Sequence, residues 1–243
     1  MAKRFFNRWL RFGYWLLLRL KVEGLENVPL QGPVILMINH VNFLDPFVVV
    51  ASMPRQVTAM SKIENFSIPF WGWVFKLYGA IPVRRGEADR KALKEALDVL
   101  KGDTMLLIAP EGTRSHDRAL QKAHNGLAYI GHRSAAIIVP IAITGSPNFA
   151  HHIKRLRRTP VHVKLGTPFY LRTKARRLDR QAMEAMTTEA MYQLAALLPP
   201  DYRGAYADLE QATENYIQFP ESSTSNLPNS HHHGELQRAP TGG

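Results

Sequence analysis

The run Val34–Ile38 is apolar at every position, and Met105–Ile108 repeats the pattern later in the chain. Runs this short and this apolar have the length of a strand and read as buried. Further strand-like runs lie at 136–143 and 161–165. Helical patterns fall between them. Over 86–101, Ala88, Ala92, Leu93, Ala96, Leu97 and Leu100 form one apolar stripe, and Gly102 stands where a helix C-cap belongs. Asp45 followed by Pro46 suits a helix start, with the helix running on to Ala51. Two more helices are predicted over 121–133 and over 178–198, the latter ended by Pro199 and Pro200. Apolar strands alternating with helices predict an α/β fold, a mostly parallel central sheet flanked by helices.

A chain of 243 residues is one such domain with appendages. Residues 1–21 interleave Lys3, Arg4, Arg8, Arg11, Arg19 and Lys21 with Phe5, Phe6, Trp9, Phe12, Tyr14, Trp15 and several Leu, and hold no acid. The longest apolar stretch there, 12–18, falls short of the roughly 20 residues that a spanning helix needs. Arg19 and Lys21 stand where a signal peptide would have small residues. Residues 1–21 are therefore expected to be an amphipathic helix lying at a membrane interface. Residues 22–200 would be the folded domain, and 201–243 a C-terminal extension, largely disordered after about 220 on its Pro, Ser, Asn, His and Gly content. Within that tail His231, His232 and His233 are adjacent, but no metal site is expected.

The net charge of +11 favours anionic partners: nucleic acid, an anionic membrane surface or phosphorylated substrates. The absence of cysteine excludes disulfides and thiol nucleophiles. The stretch 151–177 carries Lys154, Arg155, Arg157, Arg158, Lys164, Arg172, Lys174, Arg176 and Arg177 without one acid, a density that attracts anionic lipid or a protein with an acidic face.

Two segments combine residues that carry chemistry. Asn39, His40 and Asp45 follow the Val34–Ile38 strand and lead into a helix, the position at strand carboxyl ends where α/β folds place their sites. A histidine acting as general base needs one ring nitrogen free and the other held by an acceptor. Five residues along one helix would set His40 and Asp45 about 140° apart, so their contact requires a strand-to-helix turn. After the Met105–Ile108 strand come Ala109, Pro110, Glu111, Gly112, Thr113, Arg114 and Ser115. Gly112 permits close backbone approach, Arg114 offers a planar fork for phosphate, and Thr113 and Ser115 offer hydroxyls. A third, weaker segment places Arg84 and Arg85 before the 86–101 helix.

In this order the blocks resemble the glycerolipid acyltransferases, specifically the 1-acyl-glycerol-3-phosphate acyltransferases. The resemblance rests on Asn39-His40 with Asp45, on Gly79, Pro82 and Arg85, on 110–115, and on Val139, Pro140 and Ile141, and spans roughly 20–200. Ala109 departs from the family, which commonly has Phe there. The resemblance implies that His40 is the general base, that Asp45 orients it, and that no covalent acyl-enzyme forms. It implies an acceptor site built from Asn39, Arg85, Glu111, Gly112, Thr113 and Arg114, and an oxyanion-stabilising role for Lys62. No cofactor is implied; the co-substrate would be an acyl thioester on CoA or acyl carrier protein. The acceptor would be a lysophospholipid, with another lysolipid such as lyso-ornithine lipid or lysophosphatidylglycerol as an alternative. The expected location is peripheral or monotopic on a membrane, at the cytoplasmic face of the inner membrane. Within this reading the aromatic stretch 66–78 would form an acyl-chain channel or a membrane-dipping surface. A basic nucleic-acid-binding module would account for charge and aromatics but not for His40, Asp45 and the 110–115 loop, so no nucleic acid is expected. A membrane scaffold with a degenerate site is the other alternative.

Overall fold

The strands are β1 (Leu18–Glu23), β2 (Val34–Ile38), β3 (Val57–Lys62), β4 (Ile81–Val83), β5 (Met105–Ile108), β6 (Ile137–Thr144), β7 (Thr159–Leu165), β8 (Tyr170–Leu171) and β9 (Ile217–Gln218). The helices are α1 (Asp45–Ser52), α2 (Trp71–Tyr78), α3 (Arg90–Leu100), α4 (Gly126–Ser134), α5 (Phe149–Ile153) and α6 (Arg180–Ala195). The structure, a computed structural model, describes residues 8, 13, 14, 16–84, 89–173, 178–221 and 223–228. Among these, seven strands form one sheet in the order β1-β7-β6-β2-β5-β3-β4, and β8 and β9 form a separate ribbon.

The sheet is mostly parallel, as expected. β2 lies at its centre, parallel to β5 and β6, with Met37 opposite both Ile108 and Pro140. β7 runs antiparallel to β6, and β1 runs parallel to β7. The outer pair β1 and β7 therefore points against the other five. Ile35 and Met37 enter one core with α3, α4 and α6; Val34, Leu36 and Ile38 enter the other with α1. Both faces are covered, which is why β2 and β5 read as continuous apolar runs. Among the described residues no helix is long and apolar enough to cross a membrane.

Several boundaries differ from the sequence reading. Leu18–Glu23, assigned in part to the interfacial helix, is strand β1; Leu18, Leu20 and Val22 pack on the core while Arg19 is exposed. Of residues 1–17, the described ones are Arg8, Gly13, Tyr14, Leu16 and Leu17, which are helical, with Tyr14 buried. The rest of the expected interfacial helix lies outside the described residues. Helix α3 starts after Asp89, whose Oδ1 accepts the Ala92 N–H at 3.0 Å; residues 85–88 lie outside the described residues. Gly102 does not take the left-handed conformation of a glycine C-cap, and Lys101 ends α3 instead. Helix α4 begins at Gly126 rather than at 121, because the preceding amides are used elsewhere. Gln121 N–H donates to Glu111, Ala123 N–H to the Tyr206 hydroxyl, and His124 N–H to the Pro110 carbonyl.

The C-terminal extension is a larger departure. Tyr202 and Tyr206 belong to the main core. The buried Glu189 carboxylate accepts from Thr213 Oγ1 at 2.6 Å, Asn215 N–H at 3.0 Å and Tyr216 N–H at 2.8 Å. Asn226 bridges Thr167 and Gln193, with its N–H 3.0 Å from Gln193 Oε1. Residues 201–221 and 223–228 thus dock on the domain, and the disorder expected after about 220 does not describe 223–228. Polar composition concealed this docking, since a few buried hydrogen bonds replace an apolar stripe. Residues 229–243 lie outside the described residues.

The docked segment predicts a stability effect. Glu189→Ala strands one hydroxyl and two backbone N–H groups, and the loss should be on the order of 3 kcal/mol. Urea denaturation measures it; a change under about 1 kcal/mol would mean that the segment does not hold the domain together.

Candidate active site

β2 ends at Ile38, and Asn39 closes its junction with β6. The Asn39 side chain is buried; its Nδ2 donates to the Ile143 carbonyl at 2.9 Å and its Oδ1 accepts the Ile143 N–H at 2.7 Å. The amide reproduces the donor–acceptor pair of a peptide, so the sheet continues while the main chain turns away. Asn39 thereby positions the turn that carries His40.

The turn converges on one carboxylate. Asp45 is fully buried, and its Oδ2 accepts the Val41 N–H at 2.8 Å and the Asn42 N–H at 2.6 Å. The same oxygen faces His40 Nδ1 at 3.4 Å. Asp45 does not cap α1; its carboxylate is spent on the loop before the helix. Asn42 locks the turn further, its Oδ1 accepting from Leu44 N–H and its Nδ2 donating to the Ser146 carbonyl, both at 3.0 Å. With a carboxylate oxygen facing Nδ1, the arrangement suits the Nδ1–H tautomer, which leaves Nε2 with its lone pair. Asp45 Oδ1 is buried with no hydrogen-bond partner among the described residues.

The 109–125 loop reaches the same point from β5. Glu111 is 3% exposed, and its two oxygens accept different amides: Oε1 the His40 N–H at 3.1 Å and Oε2 the Gln121 N–H at 2.8 Å. The His40 carbonyl accepts the Ser115 N–H at 2.8 Å. His40 is gripped through both its backbone groups by the loop that carries Thr113 and Arg114. Glu111 therefore braces the His40 backbone against the loop, with one amide on each oxygen. Gly112 has φ +67°, and a Cβ there would meet the His124 ring at 2.8 Å, so another residue would be strained and would displace that ring. The loop is also tied to the C-terminal segment, with Leu120 N–H donating to the Tyr202 carbonyl at 2.9 Å and Ala205 N–H to the Leu120 carbonyl at 3.0 Å.

Thr113 and Arg114 are exposed at the loop tip. Arg85, expected beside them, lies outside the described residues; Arg84 next to it is exposed. Lys62 ends β3, and its ammonium pairs with Glu64 at 3.2 Å rather than with His40 or Asp45. Both side chains of that pair are exposed to solvent. The aromatic stretch meets the site directly. Phe43, inside the His40–Asp45 turn, stacks edge-on against Trp71 at 4.7 Å, and Phe47, Phe70 and Phe75 extend the cluster.

Two strand-end loops from adjacent strands, β2 and β5, thus join at the His40 backbone, one carrying the imidazole and the other the exposed Arg114. A family model for acyltransferases matches residues 19–144, which contain both loops. The chain belongs to the acyltransferase family. Its relatives include a chloroplastic 1-acyl-sn-glycerol-3-phosphate acyltransferase of Arabidopsis thaliana, 28% identical over 167 residues, or 63% of this chain and 47% of that protein. A lyso-ornithine lipid O-acyltransferase of Pseudomonas aeruginosa is 28% identical over 175 residues, 64% of this chain and 67% of that one. The fold matches the crystal structure of the 1-acyl-sn-glycerophosphate acyltransferase PlsC from Thermotoga maritima, with a TM-score of 0.58 and 24% identity over 76% of this chain and 74% of that one. The chain spans about half the length of the first curated relatives it matches.

In this acyltransferase, burial pushes the Glu111 carboxyl up to about 7, although the amides of Gln121 and His40 oppose the shift. The folded pKa lies above the unfolded value of 4.5, so the native state holds this proton more tightly. The stabilising contribution is complete below 4.5 and is lost as pH rises through 7. Glu111→Gln cannot titrate. Thermal denaturation across that range should show the wild type losing stability relative to Glu111→Gln as pH rises; parallel curves would contradict the shift.

Proposed function

We propose that this acyltransferase moves a fatty acyl group from a thioester to the free hydroxyl of 1-acyl-glycerol-3-phosphate, giving phosphatidate. The observation that carries the reading is the double grip of Glu111 and Ser115 on the His40 backbone. It joins the base to the loop that displays Thr113 and Arg114. The acceptor phosphate would meet the Arg114 fork, with Arg85 as the second guanidinium that the family resemblance implies. His40 Nε2 takes the hydroxyl proton as the oxygen attacks the thioester carbonyl. Collapse of the tetrahedral intermediate expels the thiolate, which recovers that proton from the imidazolium. Asp45 stabilises the charged ring between the two transfers. The donor is an acyl-CoA or an acyl carrier protein thioester.

The names of most relatives support the phosphate-bearing acceptor. The length of the match to the lyso-ornithine enzyme favours keeping a second acceptor in view. That acceptor has no phosphate, so Arg114 separates the two. The protein would work at a membrane surface, since the acceptor is a membrane lipid.

The test is acyl transfer in vitro with both lysolipids and with CoA and carrier-protein donors. His40→Ala should lower turnover by about 10²–10⁴-fold with the fold intact; near-normal turnover would end the general-base assignment. Arg114→Ala should raise the apparent KM for lysophosphatidate and leave the donor KM unchanged. An effect on the donor alone, or transfer only to the lyso-ornithine lipid, would reject the phosphate assignment.

A further inference from the structure

Leu156 combines two features that each need a reason. It is 98% exposed, and its φ of +52° is left-handed. The turn after α5 is a Schellman closure, with Leu156 N–H donating to the Ile153 carbonyl at 3.1 Å and Arg157 N–H to the His152 carbonyl at 3.0 Å. Leu156 occupies the position that helices normally give to glycine or asparagine, because a Cβ is strained there. Glycine would remove the strain and the exposed apolar surface together. Leucine makes sense where the side chain must project away from the protein.

Its neighbours indicate what it projects into. Lys154, Arg155 and Arg157 are exposed around it, and Ile153 adds apolar surface. No acid occurs between residues 145 and 177, and no ion pair among the described residues engages Lys154, Arg155 or Arg157. An apolar tip in a ring of free cations matches the layering of an anionic bilayer, headgroup phosphates outside and acyl chains within. An acidic protein surface would use the cations but not the leucine.

The loop also sits at the right edge of the molecule. β7 is antiparallel to β6, with His162 opposite Thr144, so β7 begins at the edge where β6 ends. β2 and β5 run parallel to β6 and end at that edge too, at Ile38 and Ile108, shortly before His40 and Glu111. Arg158 fastens the loop to the chain entering β1, its Nε and Nη2 donating to the Leu18 carbonyl at 3.0 and 2.6 Å. The sequence before Leu18 is the basic, aromatic segment 1–17. On the other flank of the site, Phe70 and Trp73 are 61% and 55% exposed.

We propose that the loop at 149–158 is a membrane-docking element, in which Leu156 enters the acyl region of an anionic bilayer while Lys154, Arg155 and Arg157 engage its headgroups. Docking there turns the His40 edge towards the membrane. The proposal rests on the reading that the acceptor is a membrane lipid, but its test needs no catalysis.

The chain has no cysteine, so Leu156→Cys gives the full-length protein a single labelling site. An environment-sensitive fluorophore there should shift to the blue on vesicles of phosphatidylglycerol and phosphatidylcholine, less so in high salt, and little on phosphatidylcholine alone. The same label at Lys101→Cys, on the turn before β5 at the opposite edge, should not shift. Leu156→Asp should weaken sedimentation with the mixed vesicles by about tenfold or more. Leu156→Gly should weaken it too while unfolding no more easily than the wild type, which excludes misfolding as the cause. A label at 156 that stays in a watery environment, a shift seen only with an acidic carrier protein, or wild-type sedimentation of Leu156→Asp would each overturn the proposal. Transfer to a short-chain, water-soluble acceptor should be unaffected by either Leu156 variant. Its absence in the wild type would count against the enzymatic reading and leave the vesicle result to stand alone.

Discussion

The Asp45 carboxylate holds the candidate active-site edge together. One oxygen gathers two backbone amides and an imidazole nitrogen, and the other is buried with no partner among the described residues. Burying a carboxylate is costly unless hydrogen bonds replace its water. Here the replacement comes from the turn it organises, so the chain can leave β2 and re-enter a helix only in the conformation that points His40 at Asp45. The 3.4 Å separation is long for a strong hydrogen bond, as catalytic contacts often are before substrate binds.

Around that carboxylate the protein uses backbone amides rather than apolar packing to set positions. Asn39 imitates a peptide group between β2 and β6. Glu111 spans two amides and Ser115 closes on the His40 carbonyl. The 200–211 turns then secure the far side of the same loop through Tyr202, Ala205 and Tyr206. The C-terminal segment is part of the scaffold that holds the candidate site.

Much of this was legible in the sequence, for reasons that can be named. β2 and β5 are buried on both faces, so unbroken apolar runs identified them. The contact of His40 with Asp45 followed from a strand-to-helix turn. Other parts were hidden. β1 alternates Leu18, Leu20 and Val22 with Arg19, Lys21 and Glu23, a strand period that the neighbouring basic aromatics disguised as an interfacial helix. The stretch before α4 has helical composition, but Glu111, Tyr206 and Pro110 take its amides, a long-range competition that no local pattern carries. Asn39 and Glu111 sit in motifs that suggest substrate contact, yet their polar atoms turn inward. Only coordinates separate a residue that touches the acceptor from one that holds the residue that does.

The central claim is that Asp45 holds His40 as the Nδ1–H tautomer, with Nε2 free to accept a proton. Nitrogen NMR of histidine-labelled protein at pH near 8, about 1.5 units above the ordinary histidine range, tests this directly, with the His40 signal assigned by its loss in a His40 variant. The account predicts a protonated Nδ1 and an unprotonated Nε2 at His40. A proton resident on Nε2, with Nδ1 bare towards Asp45, would contradict it.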